Sequence, residues 1–194
     1  MTVLQLSKFE AAERQLHTAI TLFFKGSDPV SIHTLSEAAA QVLYDIGDQY
    51  GAKSLTRDSD LIRPERRKEW LQALVKSRNF FKHADRDANE SHDFILETNN
   101  FSIFDALGLF LRIKKIRTPE TLLFEVWFAL KYPNLLVDSP YKAGILRMAS
   151  NVPELRSGDL TYFSNTLVEL REGRLELPNI TLTAGLQNHQ VSGN

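Results

Sequence analysis

The sequence contains no cysteine, which excludes a disulfide scaffold, thiolate metal sites and cysteine nucleophiles together. Its nine glycines are scattered, and none cluster ahead of a helix, so there is no phosphate-cradling glycine loop. A Gly-x-Ser-x-Gly elbow is missing as well. Neither sign of charge is in excess: 23 Lys and Arg stand against 24 Asp and Glu, a formal net charge of −1. No global field therefore draws the chain to nucleic acid or lipid, and such a partner must be met by a local patch. Nowhere do the roughly 18 apolar residues of a membrane span run together. The best candidates, Phe104–Ile113 and Thr121–Leu130, read as buried helices. Met1–Gln5 lacks a basic region leading into a long apolar stretch, so no signal peptide is expected. The expectation is a cytoplasmic chain with no membrane partner.

What is present is an ordinary globular composition: 194 residues, 43% hydrophobic, 24% charged and 10% aromatic. A chain of this length can bury about 70% of its unfolded surface without covalent staples. The apolar pattern is helical almost throughout. Ser7 and Glu10 form a capping box ahead of a stripe at Phe9, Ala12, Leu16, Ala19, Ile20 and Phe23. Gly26 ends this helix, and Asp28-Pro29 supplies the N-cap and first-turn proline of the next. Its stripe is Ile32, Leu35, Ala39, Val42, Leu43 and Ile46. Two long helices joined by so few residues predict an antiparallel hairpin.

Residues 51–63 are polar and read as a loop. Pro64 opens a third helix, expected to run to Ala84 with Trp70, Leu71, Leu74, Val75 and Phe81 on its buried face. Asp85–Ser91 is a second polar connection. Asn100 is read as the cap of a fourth helix, and Thr118-Pro119-Glu120 starts a fifth that must stop before Pro133. Both are apolar on most faces, the mark of central helices or of helices covered by a partner. Shorter helices are expected near Pro140–Ser150 and Asp159–Glu172, followed by an extended tail from Arg174. The predicted fold is all-α: a helical bundle built on an antiparallel pair of long helices, with extra C-terminal helices and a short extended tail.

The chain has five histidines. His17 and His33 lie at the margins of helical stripes and read as structural, and His189 sits in the tail. That leaves His83 and His92. The segment Lys76-Ser77-Arg78-Asn79-Phe80-Phe81-Lys82-His83 holds Arg-Asn-x-x-x-His on a helix. Here the chain resembles the HEPN family of small all-helical proteins, whose motif is Arg, a polar residue and then His after a short spacer. Arg86-Asp87 followed by His92 fits the looser spacing of the same motif. The resemblance covers about residues 7–130. Residues 134–173 read as a helical extension, completing one helical domain over 1–173, with a tail at 174–194. It implies a metal-independent RNA endonuclease that acts as a homodimer and needs no cofactor, in a toxin–antitoxin or phage-defence setting, with an antitoxin or nucleotidyltransferase as partner. Other members of the family are non-catalytic dimerisation, interaction or nucleotide-binding modules, and that alternative stands beside it.

The residue chemistry agrees with the implied activity. An RNA 2′-hydroxyl attacking its own phosphate needs a group titrating near neutrality, the role given to His83. It also needs a cation on the phosphate oxygens, which Arg78 can supply through paired N–H donors. Asn79 would orient substrate or imidazole, and Lys82, Arg86, Arg66 and Arg67 would track the backbone within the basic segment 63–86. On one straight helix Arg78 and His83 stand about 140° apart, so either the helix breaks near Ser77 or a second copy of the motif completes the site. The bland alternative pairs Arg78 with Asp45 or Asp105 and leaves His83 to the helix dipole. A third reading takes His83, Asp85, His92 and Asp93 as ligands of a metal-dependent phosphohydrolase.

Overall fold

The computed structural model describes residues 2–85, 87–177, 180–183 and 185. Eight α-helices occur among them: α1 Lys8–Phe24, α2 Pro29–Gly47, α3 Arg67–Lys82, α4 Thr98–Lys114, α5 Pro119–Lys131, α6 Pro140–Ser150, α7 Pro153–Ser157 and α8 Leu160–Arg171. The fold is all-α, as the periodicity predicts. Among the described residues no helix is long and apolar enough to cross a membrane.

The helix starts follow the local chemistry. Ser7 and Glu10 make a reciprocal capping box on α1, and Asp28 accepts from the Ser31 amide ahead of Pro29. Thr118 caps α5, Ser139 caps α6 and Asp159 caps α8. The reading of Asn100 as a cap is corrected. Helix α4 starts at Thr98 out of a tight turn, where the amides of Thr98, Asn99 and Asn100 donate to the carbonyls of Ile95, Leu96 and Glu97. The Asn100 side chain instead donates to the Tyr132 hydroxyl at 2.7 Å.

The hairpin of α1 and α2 packs on α4, while α5 runs through the middle and carries α6, α7 and α8 on its far side. Nearly every residue of α5 from Pro119 to Ala129 is buried, which accounts for a helix apolar on all faces. Its Phe124 lies within ring contact of Phe23, Phe24, Trp127 and Phe128, and Phe104 stacks on Phe128 at 3.9 Å. Arg171 of α8 donates to Glu120 Oε1 at 2.7 Å and to Thr21 Oγ1 at 2.7 Å. This polar bolt fixes the C-terminal helices to the first hairpin. The described part of the tail returns to the core, where the Thr183 amide donates to the Arg117 carbonyl.

Two expectations need correction. The buried arc of α2 is rotated from the predicted stripe: His33, Ser36, Glu37 and Ala40 are buried, while Leu35, Val42 and Ile46 are only half-buried. Helix α3 has no buried residue at all, although Trp70, Leu71, Leu74, Val75 and Phe81 were expected to be covered. Pro64 opens a separate 3₁₀ turn, and the α-helix runs from Arg67 to Lys82.

Energetics should divide the same way. Phe124→Ala removes a fully buried ring and should cost about 3–5 kcal/mol in urea denaturation. Leu71→Ala, on the half-covered helix, should cost about 0.5 kcal/mol. Equal losses would contradict this layering.

Candidate functional site

The site begins with a polar seam on α2. His33, Glu37 and Gln41 recur at four-residue spacing and so share one face. Across from them, α4 presents Asn99 and Ser102. His33 Nδ1 meets Asn99 Oδ1 at 3.0 Å, and Ser102 Oγ donates to Glu37 Oε1 at 2.7 Å. Asn99 Nδ2 donates to the Pro29 carbonyl, which turns its oxygen toward His33. The proton of His33 therefore sits on Nδ1, and Nε2 is left as a buried acceptor without a hydrogen bond. Burial pushes the His33 imidazole below its ordinary value, against the pull of Glu37, with Arg78 and His92 adding to the lowering. Burial depresses His17 likewise, against the pull of Glu120.

One turn further along α4, the buried carboxylate of Asp105 organises the loop after α2. Its oxygens accept from Ser54 Oγ and from the amides of Leu55 and Thr56, the shortest at 2.6 Å. Leu55 can lie this close because Gly108 has no side chain; a Cβ there would come within 3.3 Å of Leu55 Cδ1. The loop then presents Arg57, which is 8% exposed. Its guanidinium stands 3.6 Å from Glu37 Oε2 and donates to Gln41 Oε1 at 2.8 Å.

Helix α3 hangs on this assembly by polar bonds. Trp70 Nε1 donates to the Thr56 carbonyl at 2.8 Å, Arg67 to the Arg57 carbonyl at 2.7 Å, and Arg78 Nη1 to Gln41 Oε1 at 2.8 Å. Two guanidiniums thus share one neutral amide oxygen, whose Nε2 donates to Asp45. The expected carboxylate partners are corrected: Arg78 bonds to Gln41, while Asp45 and Asp105 are engaged with other donors. The helix is unbroken at Ser77. Ser77 Oγ lies 2.8 Å from His92 Nε2, and the His92 ring tilts against Phe80 with centroids 5.0 Å apart.

The remaining sequence-predicted residues scatter. His83 is the C-cap of α3 in extended conformation and lines an open cavity of about 320 Å³ with Asn79, Asp85 and Asp87. Arg78 and His83 are not brought together within one protomer. Lys82 is exposed, Arg66 pairs with Glu69 at the surface, and Arg67 is spent on the loop. Arg86 lies outside the described residues, as does His189. Among the described residues no three His, Asp or Glu side chains come together as a metal ligand set.

Three cavities line up along α3. The innermost, about 330 Å³, lies between α3 and the start of α4 and includes Glu37, Arg57, Ser77 and His92. It shares Lys76, His92 and Asp93 with a second of about 470 Å³. The second shares Asn79 and Asp87 with the one holding His83. His92 therefore sits at the junction of the inner two. Asp87, Glu90 and Asp93 on the loop wall oppose an anion in the middle cavity, while the inner cavity sets Lys76 and Arg57 beside Asp93, Glu37 and Asp105. Sequence reasoning missed Glu37, Gln41 and Arg57. Only the His33-x-x-x-Glu37-x-x-x-Gln41 spacing signalled them. Comparison with family models, with curated proteins and with solved structures finds no match to this chain.

Removing the Asp105 carboxylate leaves buried donors unpaired, so Asp105→Ala should lower stability by about 3 kcal/mol. It should also unfasten α3, read as faster hydrogen exchange at Trp70–Ser77. Protection equal to that of the parent would show that the loop does not depend on Asp105. Because His17 and His33 are held neutral, the unfolded chain takes up protons that the folded chain refuses below about pH 6.5. Stability should therefore fall as pH drops from about 7 to 5, and His33→Gln should flatten that slope of the urea midpoint. An unchanged slope would remove His33 from the account.

Proposed function

We propose that the chain is a metal-independent RNA endonuclease of the HEPN type, working as a homodimer in a toxin–antitoxin or phage-defence role. The observation that supports this most is the run of cavities along α3, which has His92 beside Lys76 and Asp93 at the junction of the inner two and His83 further along the same path. A single-stranded backbone laid in this trough would meet Lys76 and Arg57 beside His92. The half-open imidazole of His92, hydrogen-bonded to Ser77, is the group to move the 2′-hydroxyl proton. Arg78 lines none of the three cavities, but its guanidinium is bonded to the neutral Gln41 and to no carboxylate among the described residues, and a small shift of α3 would let it stabilise charge as it develops on the phosphate. Asn79, between the two histidines along the trough, would orient the backbone. DNA, which lacks the attacking hydroxyl, would be spared.

Dimerisation agrees with the thin cover of α3 and with the exposed apolar residues Leu61, Leu71, Ile95 and Leu96 around it. One specific observation favours a second reading, a non-catalytic nucleotide-binding module: Arg78 is bonded to Gln41 of α2, while His83 lines a cavity that does not include Arg78.

The test is cleavage of a structured RNA, followed on a gel, with dimerisation followed by light scattering. His92→Ala and Arg78→Ala should each slow cleavage by about 10²-fold or more, with the helical circular dichroism unchanged. EDTA should have no effect, and a DNA of the same sequence should stay intact. An enzyme lacking both His83 and His92 that still cuts at the parental rate would overturn the nuclease. Binding of RNA without cleavage by the parent would favour the second reading.

A further inference from the structure

The inner cavity has a floor of fixed hydrogen-bonding polarity, and this carries an inference about what enters it. Glu37 is 7% exposed, Arg57 8% and Ser102 7%, yet all three line the 330 Å³ space. Glu37 stands in the middle. On one side its Oε2 lies 3.6 Å from the Arg57 guanidinium, too far for a hydrogen bond. On the other, its Oε1 accepts the Ser102 proton at 2.7 Å. Glu37 Oε2 thus accepts no hydrogen bond among the described residues, and Glu37 lines the cavity. The Ser102 hydroxyl, its one proton spent, can offer the cavity only a lone pair. Asp105, also on the lining, has its oxygens turned to the loop donors Ser54, Leu55 and Thr56. Read across, the floor presents donor, acceptor, acceptor.

We propose that this cavity is a guanine-binding subsite, formed by Arg57, Glu37 and Ser102. The proposal rests on the RNA-cleaving reading and names the base beside the cleaved phosphate. The Watson–Crick edge of guanine presents an acceptor, O6, followed by two donors, N1–H and N2–H. Arg57 would donate to O6, Glu37 Oε2 would accept N1–H, and Ser102 Oγ would accept N2–H. Cytosine presents donor, acceptor, acceptor and opposes the floor at each position. Adenine sets its bare N1 against the carboxylate. Uracil matches at two positions and sets a carbonyl against the Ser102 lone pair. A buried acceptor facing an acceptor is left unpaired, and this is how such sites discriminate.

The walls suit a base as well. Leu74 and Ala73 of α3 face Ile95 and Phe101 across the space. Phe101 is 39% exposed, which leaves ring surface for a base unstacked from its strand. The volume lies within the range of small-ligand sites, roughly 300–1,000 Å³. The mouth opens at Lys76 and His92, where the attached phosphate belongs.

Calorimetric titration of the intact chain with the four ribonucleoside 3′-monophosphates tests this without requiring cleavage. The guanine nucleotide should bind about tenfold or more tightly than each of the other three. Glu37→Gln, which puts an amide in the carboxylate's place, should erase the preference. Ala73→Trp, a substitution at an exposed wall position that leaves the buried floor untouched, should block binding if Glu37→Gln does not fold. Equal binding of all four nucleotides, no binding of any, or unchanged guanylate binding by Ala73→Trp would each overturn the subsite. RNA cleavage without guanylate preference would sink the subsite alone. Guanylate binding by a chain that never cuts RNA would sink the nuclease and leave the subsite standing.

Discussion

The arrangement around α3 depends on one buried carboxylate. Asp105 sits in the interior with 4% exposure and no basic partner, and it is tolerated only because neutral donors of the loop converge on it. A charge so placed dictates the path of the chain that satisfies it. Ser54, Leu55 and Thr56 must turn inward, and this delivers Arg57 to Glu37 and Gln41. The same turn aims the Thr56 and Arg57 carbonyls at Trp70 and Arg67 of α3. Order passes from a single oxygen pair through a loop to a helix that the apolar core does not hold.

This has a consequence for mobility. Helices α1, α2, α4 and α5 are fixed by fully buried aromatic and aliphatic side chains. Helix α3 is held by a few hydrogen bonds and half-covered rings, which are individually worth about 1 kcal/mol and exchange readily with water. A site on such a helix can shift by small amounts without disturbing the core, since elements of low local stability are where binding surfaces are drawn from. The trough lies between the rigid and the loosely held parts of the molecule.

The sequence made the scaffold legible and left the site mostly hidden. Capping chemistry and apolar spacing located both helices of the hairpin, the core pair α4 and α5, and the bounds of α6 and α8. These signals are local, written in residues three and four apart. Helix α7 passed unnoticed because five residues carry no period. The predicted stripe of α2 counts apolar residues alone and so omits His33, Ser36 and Glu37, which are buried because His33 and Glu37 find partners on α4 and Ser36 donates to the His33 carbonyl of its own helix. Asn100 looked like a cap because its residue type favours one, but a backbone turn already serves the first amides of α4. The motif at Arg78 was visible as a spacing. That its guanidinium would meet Gln41, thirty-seven positions earlier, beside an Arg57 bonded to the same oxygen, depends on a loop path set by Asp105. No local pattern encodes that path.

The choice of Gln at position 41 bears on the same point. Its amide oxygen takes both guanidiniums while its nitrogen is turned to Asp45, so a neutral group stands between the two cations and Asp45. A glutamate there would bind both arginines more tightly, since charge-assisted pairs are about twice as strong as neutral ones. It would also cancel their charge, leaving little attraction for an incoming phosphate. With glutamine Arg78 is positioned by one donor, and Arg57 by one donor together with the nearby Glu37 carboxylate and the Tyr44 ring. Glu37, at 3.6 Å from Arg57, likewise sits near without a hydrogen bond. The seam holds Arg78 in place with part of its bonding capacity unspent, the condition that the proposed phosphate contact requires.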